Sequence, residues 1–68
     1  MRIKVNGEEI DTTAATILQL LQTKGIMPER VAVEINLKVI KRTDFEQCRL
    51  HDGDIVEIVY FVGGGRHG

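Results

Sequence analysis

The sequence has one cysteine, one proline and no tryptophan. The single cysteine, Cys48, excludes an internal disulfide framework and is typical of proteins kept in a reducing cytosol. The two histidines, His51 and His67, have no Cys or His companions at the spacing of zinc ligands. We therefore expect neither a disulfide nor a bound metal.

An excess of charge of either sign is also missing. Nine Lys and Arg residues stand against ten Asp and Glu residues, so the net charge is -1. Without a basic run, attraction to phosphate backbones is weak, and we expect no nucleic-acid partner. The N-terminus alternates polar and apolar residues from the start. It lacks the apolar h-region of a signal peptide and the apolar length of a membrane span, so we expect a soluble, cytoplasmic protein.

The chain is also short. A domain of 68 residues buries only about 60% of the surface that its unfolded chain exposes. It can hold one modest core, and an enzyme cleft would have to be built at the expense of that core. The length therefore favours a binding or carrier protein, monomeric by default.

The first half of the sequence predicts a hairpin and a helix. Ile3 and Val5 alternate with polar residues as in a strand, and Asn6-Gly7 favours a type I′ turn into a return strand at residues 8–11. The apolar spacing after that turn predicts an amphipathic helix over residues 16–24. Thr16 and Gln19 have the spacing of a capping box at the start of this helix. Gly25 is the residue expected just after its end, and Pro28 prevents the helix from continuing.

The second half predicts strands. Val31–Ile35 alternate, Lys38–Ile40 form a short apolar piece, and residues 43–48 suggest one helical turn capped by Thr43 or Asp44. The last segment, residues 55–62, is apolar at all but one position, so we expect a central strand covered on both faces. The order of elements implies a small α+β domain in which one helix packs on a mixed sheet.

Three glycines, Gly63 to Gly65, follow this apolar strand. They have no side chain to pack, so a mobile tail is expected after residue 62. One interpretation is an end without function. A phosphate-binding glycine loop is disfavoured because no helix follows. A third interpretation is an arm that threads into another protein's active site, where a chain without Cβ atoms passes a narrow channel and presents its terminal carboxylate.

The third interpretation gains support from a resemblance. The segment "GDIVEIVYFVGGG", residues 53–65, resembles the C-terminal signature of the ThiS family of sulfur carriers. The opening "IKVNGEEI", the "TILQLL" helix and the "VAVEIN" strand occur in the family's order, so the similarity covers residues 1–65. It implies a β-grasp (ubiquitin-like) domain at residues 1–62 with a flexible tail at residues 63–68. It also implies that the chain is a protein co-substrate without a catalytic site or bound cofactor of its own.

The resemblance also implies a reaction and a set of partners. A ThiF-type enzyme would use ATP to adenylate the terminal glycine, and a persulfide from a cysteine desulfurase or another donor would convert it to a thiocarboxylate. Thiazole synthase would then receive the sulfur for the thiazole of thiamin. Carried onto this sequence, the reactive residue is Gly65. Partner enzymes would recognise the tail through the residues before it: Phe61, Val62, Gly63 and Gly64.

The sequence departs from the family pattern in continuing past the glycines with Arg66, His67 and Gly68. An adenylated carboxylate must be terminal, so either a peptidase removes these three residues or Gly68 is used instead. Because Arg66 and His67 are bulky and charged where a threading arm should be slim, we expect processing.

Other functions and sites stay open. The chain could be a MoaD-like carrier for molybdopterin or another sulfur metabolite, or a ubiquitin-like modifier or interaction module. Cys48 could be a persulfide station, although a small buried thiol is the simpler interpretation. His51-Asp52-Gly53-Asp54 is interpreted as a turn. The acidic residues of the hairpin could dock a basic partner, and outward-facing apolar residues near the tail could contact an enzyme: Glu8, Glu9, Asp11, Tyr60, Phe61 and Val62.

Overall fold

The N-terminal hairpin forms as expected. A computed structural model of the protein describes residues 1–61, in which strands β1 (Arg2–Val5) and β2 (Glu8–Asp11) pair antiparallel. Asn6 and Gly7 have φ angles of 50° and 84°, the left-handed pair that a type I′ turn requires. Ile3 faces Ile10 across the hairpin, on the side that packs against the core.

Helix α1 (Ile17–Thr23) lies within the predicted range, with Thr16 as its N-cap and Lys24 as its C-cap. The Thr16 hydroxyl accepts a hydrogen bond from the Gln19 backbone N–H at 3.2 Å. The reciprocal half of the capping box is displaced, because the Gln19 side chain accepts from the N–H of Ala15 at 2.7 Å rather than from that of Thr16. Ala15 precedes the N-cap and lies outside the helix. The orphan N–H groups of Ile17 and Leu18 in the first turn donate instead to the carbonyls of Cys48 and Phe45, both at 3.0 Å.

The C-terminus of α1 is a Schellman motif. Gly25 has φ 69°, its N–H donates to the carbonyl of Gln22 at 3.1 Å, and the N–H of Ile26 donates to the carbonyl of Leu21 at 2.9 Å. These two bonds satisfy carbonyls that the helix leaves free at its end. The chain then turns through a 3₁₀ segment, Pro28–Arg30, into the next strand.

The remaining strands are β3 (Val31–Ile35), β4 (Lys38–Ile40) and β5 (Ile55–Tyr60). Between β4 and β5 lies a 3₁₀ turn, Arg42–Asp44. Its N-cap residue is Lys41, whose side chain makes no capping hydrogen bond. The helical turn predicted here exists, but it begins one residue earlier, and capping by Thr43 or Asp44 is wrong. Phe45 and Leu50 are buried as predicted and close one end of the core.

The five strands form one mixed sheet in the order β2-β1-β5-β3-β4. The terminal strands β1 and β5 are neighbours and parallel, whereas β5 pairs antiparallel with β3. Helix α1 contributes Ile17, Leu20 and Leu21 to a core shared with the inward-facing residues of the sheet. One helix packed across a mixed sheet with parallel terminal strands is the β-grasp arrangement inferred above.

One prediction for the final strand is wrong. Strand β5 is central, but only the face toward the helix is covered: Val56 and Ile58 are buried, whereas Ile55 and Val59 are exposed. The helix is a single layer on one side of the sheet, so nothing within residues 1–61 covers the other side. The apolar run at residues 55–62 correctly indicated a central strand, but it did not indicate burial of both faces.

Candidate functional site

The candidate site lies at the C-terminal end of strand β5, just before the glycine segment. Phe61 is the last residue that the structure describes, and its N–H donates to the carbonyl of Arg30 at 2.9 Å, which extends the β3–β5 ladder by one rung. The Phe61 side chain is 61% exposed. The sheet thus anchors the backbone up to the residue from which the glycine segment continues.

The other edge of β5 is held by Asn6. Strand β1 ends beside Val56, where the N–H of Asn6 donates to the carbonyl of Val56 at 2.9 Å. Beyond that point the Asn6 side chain replaces a strand: its Oδ1 accepts from the N–H of Ile58 at 2.7 Å, and its Nδ2 donates to the carbonyl of Ile58 at 3.0 Å. These bonds satisfy a partly buried backbone that would otherwise lack partners.

Apolar side chains occupy the sheet face opposite the helix. Ala32 of β3 lies beside Val59 of β5, and Val39 of β4 pairs with Glu34 of β3. Glu34 in turn faces Glu57 of β5, so two carboxylates lie on this face among the apolar residues. Val59 is 59% exposed and Val39 is 67% exposed. We call this surface the outer patch and define it as Ala32, Val39, Ile55, Val59 and Phe61. Exposed apolar groups that cluster on one face of a small domain are typical of an interaction surface.

The turn before β5 has a structural role. The backbone N–H of Arg2 donates to Asp52 Oδ1 at 2.7 Å, and that of His51 donates to Asp54 Oδ2 at 2.8 Å. Asn36 Nδ2 donates to the other oxygen of Asp54 at 3.1 Å. The carboxylates of this turn are therefore engaged by backbone and amide groups, which confirms the turn interpretation of residues 51–54.

Cys48 is half-buried beside the core. Burial raises the pKa of its thiol above the usual value, and the negative charges of Asp54 and Asp44 raise it further. A thiol held in its protonated form is a weak nucleophile. The chemistry of Cys48 thus favours the packing interpretation over a persulfide station.

The acidic residues of the hairpin are partly paired. Arg2 forms ion pairs with Glu9 at 3.1 Å and with Asp11 at 3.4 Å, all on the solvent side of the sheet. The hydrogen bond that Arg2 donates to Glu9 and the negative charges of Asp11 and Glu9 raise the pKa of Arg2. Exposed pairs of this kind contribute little stability, but they reduce the field that a basic partner would meet.

Most residues of the expected reactive segment lie outside the described residues: Val62, Gly63, Gly64, Gly65, Arg66, His67 and Gly68. Of the predicted recognition residues, the structure describes only Phe61. Within residues 1–61 it also shows no group of three or more His, Cys, Asp or Glu side chains that could hold a metal ion. None of the helices in that part of the chain has the length and apolarity to cross a membrane.

Comparison with known proteins decides the family. A sequence model described as the ThiS family matches residues 3–65, which includes helix α1, strands β2 to β5, all of β1 except Arg2, and the three glycines. The chain belongs to the ThiS family. The sulfur carrier protein ThiS of Bacillus subtilis is 34% identical over 65 residues, which cover 93% of this chain and 98% of that protein.

Solved structures of the family share the fold. The crystal structure of the thiamine biosynthesis protein ThiS from Geobacter metallireducens superposes with a TM-score of 0.81 at 36% identity. The match covers 96% of this chain and 100% of that one. Together with the sheet order, it confirms the β-grasp fold expected from the ThiS resemblance.

Other relatives are much longer. The thiazole synthase of Magnetococcus marinus is 43% identical over 68 residues, and that of Paramagnetospirillum magneticum is 41% identical over 66 residues. The alignments cover 98% and 96% of this chain but 21% and 20% of those proteins. The chain therefore spans about a fifth of the length of these thiazole synthases.

Sequence reasoning missed the side-chain role of Asn6. The Asn-Gly pair indicated a turn, and the turn is there, but nothing local indicates a bond to Ile58, 52 positions away. The outer patch was anticipated only for the residues nearest the tail. Ala32 on β3 becomes a neighbour of Val59, and Val39 on β4 comes to the same face, through the sheet order alone.

Proposed function

We propose that this chain is a sulfur carrier of thiamin biosynthesis whose reactive group is the carboxylate of a C-terminal Gly65. The observation that carries the proposal is the position of Phe61. It stands exposed at the end of the central strand, four residues before Gly65, in a chain that a ThiS family model matches through that glycine.

The chemistry needs a partner at each step. A carboxylate oxygen of Gly65 attacks the α-phosphorus of ATP and pyrophosphate leaves, which gives an acyl adenylate. The terminal sulfur of a persulfide then attacks the carbonyl carbon and AMP leaves. A thiol cleaves the resulting acyl disulfide, forms a disulfide with the donor's sulfur and leaves the thiocarboxylate. A ThiF-type enzyme would supply the first step and a cysteine desulfurase the persulfide.

The chain's own residues would position this tail rather than catalyse. Asn6 holds one edge of β5 as far as Ile58, and the β3 side holds the other edge up to Phe61, which fixes where the tail begins. The outer patch would contact the partner enzymes, because burial of exposed apolar area is the main driving force of association. The carrier is then a co-substrate without a catalytic site.

Thiazole synthase is the acceptor that the relatives favour. The chain aligns with a segment of two thiazole synthases, so a ThiS-like segment and the synthase occur in one polypeptide there. Such covalent linkage raises the effective concentration of one partner for the other. It supports thiazole synthase as a partner of this domain.

Reconstitution tests the proposal. The full chain and a chain ending at Gly65 are each incubated with a ThiF-type enzyme, ATP, a cysteine desulfurase and cysteine, and intact mass is measured. We expect the chain ending at Gly65 to exchange one oxygen for one sulfur and the full chain to stay unchanged until a peptidase removes residues 66–68. If the full chain is activated at Gly68, processing is unnecessary. If neither chain gains sulfur, the proposal is wrong.

The outer patch needs its own variant. Val59→Asp places a charge in the patch at an exposed position, and Leu37→Asp places the same charge on an exposed residue outside it. We expect Val59→Asp to raise KM for the carrier in the adenylation reaction about tenfold, while Leu37→Asp leaves KM unchanged. Equal effects of the two variants would contradict a role for the patch.

A further inference from the structure

A groove beside Phe61 combines apolar walls with positive charge. It encloses about 490 Å³ and lies between the start of β3 and the turn after β4. Its apolar lining is Val31, Ala32, Ile40, Phe45 and Phe61, and Lys41 and Arg42 line its rim. Ala32 and Phe61 are shared with the outer patch, so the two surfaces adjoin. We call it the basic groove.

The charges of the rim are not neutralised by the domain itself. Lys41 and Arg42 are exposed, and none of the ion pairs within residues 1–61 includes either of them. Arg30, whose carbonyl accepts the N–H of Phe61, is likewise exposed and without an ion pair in that part of the chain. Two cations thus line the groove that Phe61 also lines, and a third residue with a positive charge, Arg30, bonds to Phe61 through its backbone, on a chain whose net charge is -1.

The tether between this groove and the reactive end is short. Gly65 is four residues beyond Phe61, and an extended chain spans at most about 3.6 Å per residue, or about 14 Å in all. An enzyme that encloses a nucleotide and the glycine carboxylate must therefore bring the mouth of its channel close to Phe61. The surface around that mouth would meet the basic groove.

We propose that the basic groove binds an acidic, apolar segment of the adenylating partner: an aliphatic or aromatic side chain flanked by Asp or Glu at the mouth of its channel. This inference rests on the proposed function. The apolar walls would receive the side chain, and the two rim cations would pair with the carboxylates, which favours encounter and fixes orientation more than it adds affinity. The groove thus orients the carrier while the outer patch supplies contact area.

The test is a charge reversal measured as kinetics. The double variant Lys41→Glu/Arg42→Glu is compared with Lys38→Glu/Arg49→Glu, which makes the same change in net charge at two exposed residues outside the groove. The assay follows pyrophosphate release by a ThiF-type enzyme with a carrier chain ending at Gly65. We expect the groove variant to raise KM for the carrier about tenfold or more at low salt, with kcat within twofold, and the matched variant to change KM by less than about threefold.

Ionic strength gives a second readout. Added salt should raise KM of the unaltered carrier, because it screens exposed charges, and should lower KM of the groove variant, whose charges repel an acidic partner. Circular dichroism of both variants checks that the domain is folded, and either variant can be replaced by the corresponding glutamine substitutions if it is not. Equal KM for the groove and matched variants, or the same salt response in both, would overturn the inference.

Three other outcomes separate the inference from the proposed function. Chemical-shift changes confined to Lys41 and Arg42 when ATP is added without enzyme would make the groove a phosphate site and overturn the inference. Absence of pyrophosphate release from the unaltered carrier would overturn the proposed function itself. Normal release from the unaltered carrier and the groove variant alike would overturn only the role of the groove.

Discussion

Replacement of Asn6 tests whether a single side chain holds the strand that leads to the tail. Its two bonds to Ile58, at 2.7 and 3.0 Å, are partly buried. Loss of each costs about 1 kcal/mol of stability. Alanine at φ 50° adds about 1 kcal/mol of backbone strain. We therefore expect Asn6→Ala to lower the free energy of unfolding by about 3 kcal/mol and Asn6→Gly by about 2 kcal/mol.

These losses are large for this domain. A chain of this length is stable by roughly 3 to 10 kcal/mol, so Asn6→Ala removes a substantial share. Urea unfolding followed by circular dichroism measures the change as a shift in midpoint at constant slope. Native-state hydrogen exchange of the Ile58 amide reports the bond directly, and we expect Asn6→Gly to reduce its protection more than that of residues on β3.

Asn36→Gly is the matched control. Asn36 also has a positive φ of 52° and also bonds to β5, through Oδ1 to the N–H of Ile55 at 3.0 Å. That bond and the one from Asn36 Nδ2 to Asp54 are both exposed, so water replaces them, and we expect a loss of about 1 kcal/mol or less. The reasoning is refuted if Asn6→Gly costs no more than Asn36→Gly, or if the Ile58 amide keeps its protection.

Three further predictions concern the backbone strain at Leu37 and the chemistry of the Cys48 thiol. Leu37 has φ 73° and is 90% exposed, so Leu37→Gly should relieve left-handed strain without losing packing and stabilise the domain by about 0.5 to 1 kcal/mol; a lower urea midpoint would contradict this. The raised pKa of Cys48 predicts that alkylation by iodoacetamide is slower at neutral pH than for a free cysteine and accelerates only as the pH rises through the raised pKa. A Cys48→Ser variant should accept sulfur at the full rate, and loss of transfer would restore the persulfide interpretation.

The local elements were predictable because their signals are local. Thr16 before an apolar spacing of three and four, with Gly25 after it, marks both ends of a helix whatever it packs against. Asn6-Gly7 sets a tight hairpin because both residues tolerate positive φ. The tail interpretation was also reached from the sequence, since the glycines and the family motif are contiguous. The Gln19 side chain accepts from Ala15 rather than from Thr16 because the N–H groups of these two adjacent residues compete for it.

The faces of β5 show where local reasoning fails. Ile55, Val59 and Phe61 are of the same residue types as buried strand residues. They stay exposed because residues 1–61 supply one α-helix and therefore one covering layer. Whether an apolar side chain is core or contact surface depends on how many layers exist. That number is a property of the whole chain.

By itself the sequence determined the strands, the helix with its caps, the turn at residues 51–54 and the glycine ending that points to a carrier. The tertiary structure alone decided which strands are neighbours, and with them the outer patch, the basic groove and the bond from Asn6 to Ile58. The physical reason is the sequence distance over which each kind of interaction acts. Caps and turns satisfy backbone groups within a few residues, whereas parallel β1 and β5 join segments some 50 positions apart, and pairing at that distance is chosen by burial of the shared core.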